Sequence, residues 1–160
     1  MKKPMTLQGF RVLQKEHEQL ARVERPKVVQ GIATAAAEGD RSENAEYIYG
    51  KKRLRELDKR LGYLSMLLAD VDIIDPVSLS GTTVCFGATV VFAEDGGQAK
   101  RWQIVGEGES DTANGTISWK SPMARALVGK TVGDVVTVER PAGEIEVEIL
   151  ELWFGERKVR

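Results

Sequence analysis

Apolar residues in the first half of the chain recur three and four residues apart. Leu54, Leu57, Leu61, Leu64, Leu68 and Val71 make one such seam; Phe10, Leu13, His17 and Leu20 make another, which Val28 and Ile32 continue less regularly. This is the heptad spacing of long amphipathic helices. Between the seams stands Glu38-Gly39-Asp40, where Gly39 suits the left-handed position just past a helix end. Two long helices joined by so short a turn fold back as an antiparallel hairpin. A second helix from about Arg41 to Asp72 would be on the order of 45 Å long. Pro26 should kink the first helix, and Gly31, Gly50 and Gly62 each cost roughly 1 kcal/mol relative to Ala inside a helix. His17 reads as a packing residue of the seam, because no second His stands anywhere in the chain to share a metal.

From Pro76 onward the period changes to two. Val84 to Phe92 and Lys100 to Val105 read as strands around the turn Glu94-Asp95-Gly96-Gly97. Ile145, Val147 and Ile149 alternate with Glu144, Glu146 and Glu148, so one face is buried and the other is wet. Ser121-Pro122 opens a short helix that Gly129 closes. The loop Glu107 to Gly115 and the tail Gly155 to Arg160 carry no signal of their own. The expected fold is α+β: a long helical hairpin over residues 1–75, then a small β-rich domain with one helix over 76–160. The run Asp75 to Gly81 forms a short linker between them.

Composition narrows the class. The 160 residues are 42% hydrophobic and 29% charged, with a formal net charge of -1, which excludes a disordered chain. No apolar run reaches the roughly 18 residues that cross a bilayer. No apolar segment follows the opening lysines, so no secretory signal is expected. One cysteine, Cys85, cannot build a disulfide framework. A cytoplasmic protein is expected. The small net charge hides a division: residues 1–75 hold 14 basic and 12 acidic side chains, and residues 76–160 hold 9 and 12.

Glu38, Asp40 and Glu43 gather at the expected hairpin tip. Asp40 three residues before Glu43 fits a capping box, with Asp as N-cap and Glu at the third helical position. The alternative is metal binding. Mg²⁺ is held by one or two carboxylates together with phosphates and water, so two tip acids make part of a shared site. The run Lys51 to Arg60 contains six basic residues (Lys51, Lys52, Arg53, Arg55, Lys59, Arg60) against two acidic ones. Lys51, Lys52, Arg55 and Lys59 share one quadrant opposite the leucine seam. This is either an ordinary solvated helix surface or a grip for the phosphates of a single strand. Tyr47 and Tyr49 could stack on a base or pack against helix one.

The run Gly39-Asp40-Arg41-Ser42-Glu43-Asn44-Ala45-Glu46-Tyr47 resembles the tip signature of the bacterial Gre transcript-cleavage factors. Arg41-Ser42 and the basic run look closer to the GreB branch than to GreA. Ser121-Pro122-Met123-Ala124-Arg125-Ala126-Leu127, Val132-Gly133-Asp134 and Pro141-Ala142-Gly143 are similar to that family's C-terminal domain. The resemblance implies an antiparallel coiled coil followed by an FKBP-like domain. It implies a monomer that binds RNA polymerase through its secondary channel and stimulates cleavage of backtracked RNA at the 3′ end. The polymerase would be the enzyme, and this chain would supply no active site of its own. Asp40 and Glu43 would share a catalytic Mg²⁺ with the polymerase, and the free protein would bind none. Arg41, Ser42, Asn44 and Glu46 would support the tip, and Lys51, Lys52, Arg53, Arg55, Lys59 and Arg60 would grip the RNA. Competing readings are a channel-binding inhibitor, a prolyl isomerase built on the second half, and a coiled-coil adaptor.

Overall fold

The computed structural model describes residues 2–39 and 44–160. Contacts divide the chain into two units: Arg11–Ala69, and Met1–Phe10 together with Asp70–Arg160. Residues up to Phe10 and from Asp70 to Asp75, assigned by composition to the hairpin, therefore belong with the β-rich part. The reason is a pairing that composition cannot reveal. Strand β1 (Lys3–Thr6) lies parallel to β2 (Val71–Ile74), in register from Lys3↔Val71 to Thr6↔Ile74.

The helical unit is built from α1 (Leu7–Gln19), whose first residues lie in the other unit, α2 (Arg25–Ala37) and α3 (Ala45–Leu68). Leu57, Leu64 and Leu67 of α3 are buried. The second helix is shorter than its seam suggested. Asp70 has φ +56°, a left-handed conformation that a helix cannot continue through, and Val71 passes into β2.

The irregular seam of the first helix has a definite cause. Between α1 and α2 lies a π-helical turn, Leu20–Glu24, in which the Arg25 N–H reaches back to the Leu20 carbonyl. A π turn holds one more residue than an α turn. Strict continuation of the Phe10–Leu13–His17–Leu20 spacing would return at positions 27, 31 and 34. The half-buried or buried positions are instead Val28, Ile32 and Ala35, each one later. The extra residue is absorbed just before Pro26, which occupies the first turn of α2, where its missing N–H is harmless.

Gly50 also has a reason. A Cβ there would lie 2.7 Å from Ile32 Cγ1, whereas nothing stands within 4 Å of one at Gly31 or Gly62. The two helices are further joined by Arg25–Asp58 at 2.8 Å and by Arg53–Glu24 at 3.5 Å. Arg60 binds Glu16, and His17 Nε2 lies 3.0 Å from Ser65 Oγ.

The other unit carries a sheet ordered β5 (Thr116–Ser118), β4 (Ala99–Val105), β3 (Thr89–Glu94), β7 (Gly143–Phe154), β6 (Val135–Arg140), with β8 (Arg157–Lys158) also pairing β7. Only β4 and β5 run parallel in it. The segment Val84 to Ala88 is not part of β3; it turns at Gly87, φ +88°. In β7 the expected alternation holds through Ile149 and then slips. Val91 pairs with Glu151 and Phe92 with Ile149, so Leu150 is a β-bulge. Inward positions therefore change from Ile145, Val147 and Ile149 to Leu152 and Phe154. Helix α4 (Pro122–Leu127) starts at the Ser121 cap, whose side chain accepts from the Ala124 N–H. Its Ala124 and Leu127 join Phe92, Ile104 and Phe154 in the core.

Candidate functional site

Helix α2 ends at Glu38, whose N–H donates to the Ala35 carbonyl at 3.2 Å. Gly39 follows with φ +152°, more extended than the compact left-handed turn its position suggested. Asp40, Arg41, Ser42 and Glu43, the centre of the expected tip, lie outside the described residues. Asn44 is the N-cap of α3, and its Oδ1 accepts the Tyr47 N–H at 3.1 Å. The capping box considered for Asp40 and Glu43 is therefore not what starts this helix. Asn44 does it.

The same side chain has a second bond. Asn44 Nδ2 donates to the Ala35 carbonyl at 2.8 Å, the oxygen that also accepts from Glu38. One buried residue of α2 thus gathers both the end of that helix and the beginning of the next. Glu46 is exposed in the first turn of α3, where a carboxylate favours the positive end of the helix.

The six basic residues of α3 separate into two groups. Arg53 reaches Glu24 and Glu56, and Arg60 holds Glu16 with two hydrogen bonds at 2.7 and 2.9 Å. The Arg60 hydrogen bond holds the Glu16 carboxyl below its ordinary range, burial opposing it. These two arginines are engaged in ion pairs, Arg60 across the hairpin and Arg53 both across it and within α3. Lys51, Lys52, Arg55 and Lys59 are exposed. Among the described residues the last three have no ion-pair partner, and Lys51 lies 5.6 Å from the Tyr47 ring centroid. At about 100° per residue these four share one stripe of α3. Ile48, 53% exposed, falls in the same stripe. Its apolar side chain sets it apart from the basic run, but the same angular count along the sequence finds it. Tyr47 is half-buried, and Tyr49 is 70% exposed.

Among the described residues no group of three or more His, Cys, Asp or Glu side chains is placed to hold a metal ion. None of the described helices is long and apolar enough to cross a membrane. In the β-rich unit, Phe92 and Phe154 are in the core, and Phe86, Trp102 and Trp119 pack against it. Trp153 lies under the Arg101 guanidinium, 4.7 Å away.

Comparison with known proteins matches both halves of the chain. The family model for the transcription elongation factor N-terminal domain matches residues 3–73, and that for the GreA/GreB C-terminal domain matches 79–154. Transcription elongation factor GreB of Haemophilus influenzae is 46% identical over 150 residues, covering 94% of this chain and 95% of that one. Transcription elongation factor GreA of Chelativorans sp. is 45% identical over 155 residues, covering 96% and 99%. The two branches are level in identity. The crystal structure of the GreA factor homolog Gfh1 from Thermus thermophilus overlays with a TM-score of 0.44 at 22% identity, covering 96% of this chain and 99% of that one.

Proposed function

Because the chain belongs to the GreA/GreB family of transcription elongation factors, we propose that it binds RNA polymerase through the secondary channel and stimulates the polymerase's own cleavage of backtracked RNA. The observation that supports this reading is the cap at Asn44. Capping was the plain structural explanation for a conspicuous Asp40/Glu43 pair, and Asn44 takes that task away from them. Carboxylate oxygens suit Mg²⁺, and two carboxylates are a partial set for an octahedral ion. Asp40 and Glu43 would hold Mg²⁺ jointly with groups of the polymerase. The ion would supply activation of the attacking water. Bond cleavage belongs to the polymerase, and this chain completes its site.

The extruded RNA 3′ segment would run along Lys51, Lys52, Arg55 and Lys59, the exposed members of the basic run that share one stripe and make no ion pair among the described residues. Arg53 and Arg60, engaged with Glu24 and Glu16, keep the hairpin in register instead. Salt-dependent phosphate contact is the expected mode. No observation favours the isomerase reading, since the aromatic side chains it would need are largely spent on packing.

The test is RNA cleavage in stalled, backtracked elongation complexes with the wild-type protein and with Asp40→Asn. Since Asn44 caps α3, the variant should fold and bind polymerase as the wild type does while losing stimulation. Wild-type cleavage by Asp40→Asn would refute the metal role.

A further inference from the structure

The loop after β4 carried no signal in the sequence, yet the carboxylate of one of its residues, Glu109, accepts three hydrogen bonds. Glu109 Oε2 accepts from the Thr6 N–H at 3.0 Å and from the Gly106 N–H at 2.7 Å. Its Oε1 accepts from the Thr6 hydroxyl. Thr6, only 4% exposed, in turn accepts the Gly9 N–H on Oγ1 at 3.0 Å. Thr6 immediately precedes α1, so Gly9 is the third helical residue.

This is the bonding of a capping box with one member relocated. In the ordinary box the N-cap Thr accepts the N–H of the third helical residue, and a Glu at that third position accepts the N-cap N–H. Here the third position is Gly9, and the carboxylate comes from a residue 103 positions away. The space is allotted accordingly. A Cβ on Gly9 would fall onto the Glu109 carboxylate, and one on Gly106 would lie 2.6 Å from both Glu109 Oε2 and the Pro4 carbonyl.

We propose that Glu109 closes a capping box in trans, a latch through which the folded loop after β4 starts helix α1 and holds it to the β1 strand. Gly9 and Gly106 are the two clearances that the latch needs. The start of α1 then depends on that loop being in place: without the Glu109 carboxylate the first turn of the helix opens about ten-fold more often.

The test uses the full-length protein and compares Glu109→Ala, Glu109→Gln, Gly9→Glu and the double variant Gly9→Glu/Glu109→Ala. In Glu109→Ala, amide hydrogen exchange at Thr6, Gly9 and Gly106 should accelerate about ten-fold relative to the core amides of Val90 and Leu152. Should that variant fold poorly, Glu109→Gln, which keeps the shape and one acceptor oxygen, should accelerate the same amides to a smaller extent. Gly9→Glu should lower Tm in the wild-type background, where its side chain meets Glu109. In the Glu109→Ala background it should raise Tm and re-protect Thr6 but not Gly106, by rebuilding the box within the helix. Equal acceleration at all amides, unchanged exchange at Thr6, or a Gly9→Glu effect of the same sign in both backgrounds would overturn the latch.

Discussion

Arg60 grips Glu16 across the hairpin with both Nε and Nη2, at 2.7 and 2.9 Å, one hydrogen bond to each carboxylate oxygen. The pair turns a residue of the basic run into a connector between helices. Two neighbouring positive charges with different work can therefore be separated by experiment. Arg60→Ala should lower stability by up to about 1 kcal/mol, the range for exposed ion pairs of good geometry, and should leave the salt dependence of RNA cleavage close to wild type. Lys52→Ala/Arg55→Ala should leave Tm nearly unchanged and make cleavage weaker and less salt-sensitive. Thermal unfolding and a salt titration of cleavage read out the two effects.

The same pair gives a pH dependence with a definite sign. The Arg60 hydrogen bond depresses the Glu16 carboxyl, partly opposed by burial. A depressed carboxyl stabilises the fold fully above its unfolded value, near 4.5, and loses that contribution as pH falls through the lower folded value. Asp58 is depressed in the same direction by its hydrogen bond from Arg25. Unfolding followed from pH 7 down to 3 should show the wild-type advantage over Glu16→Gln shrinking at the acid end. A constant difference would contradict this.

Three glycines of the hairpin should respond in opposite directions to alanine. Gly62 and Gly31 have open space around them, so Gly62→Ala and Gly31→Ala should each stabilise by about 1 kcal/mol through helix propensity. At Gly50 the added methyl meets Ile32, and Gly50→Ala should destabilise by about 1–2 kcal/mol net of that gain. Chemical denaturation of the three variants is sufficient.

The π turn predicts an asymmetric response to deletion. Removing Val23 from the turn together with Pro26→Ala converts the first helix to continuous α and keeps Val28, Ile32 and Ala35 on the seam. That variant should melt within a few degrees of wild type. Removing Gln30 instead, beyond the turn, rotates Ile32 and Ala35 relative to the preceding seam and should lower Tm sharply.

Asn44 combines a cap and a bridge, and the two can be parted. Asn44→Ser retains a capping oxygen but is too short to reach the Ala35 carbonyl, whereas Asn44→Ala loses both bonds. The Ala variant should be the less stable by about 1 kcal/mol. If the bridge matters to the acids of the tip, the maximal cleavage rate should fall in both variants, with the factor concentration at half-maximum moving little in Asn44→Ser.

Local pattern carried the reading a long way. The leucines of α3, the Ser121-Pro122 start of α4 and the alternation in β7 each announce themselves within a few residues, because a period of 3.6 or 2 is a property of neighbours along the chain. The tip motif and the basic run were equally visible. What local pattern left out lies where one residue changes the count: the extra residue of the π turn, the bulge at Leu150, and the left-handed Asp70 that ends α3 before the expected Asp72.

The sequence by itself determined that a heptad hairpin precedes a β-rich domain, that acids and bases concentrate near the turn, and, through its motifs, which family the chain belongs to. Only the tertiary structure decided that Arg60 and Arg53 form ion pairs across the hairpin while Lys52 and Arg55 form none among the described residues. It alone paired β1 with β2, and it alone brought Glu109 to Thr6. The physical reason is distance along the chain. Periodicity records which face of an element is apolar, but the partner of a given charge or strand edge is chosen by where remote segments meet, and no spacing in the sequence encodes that.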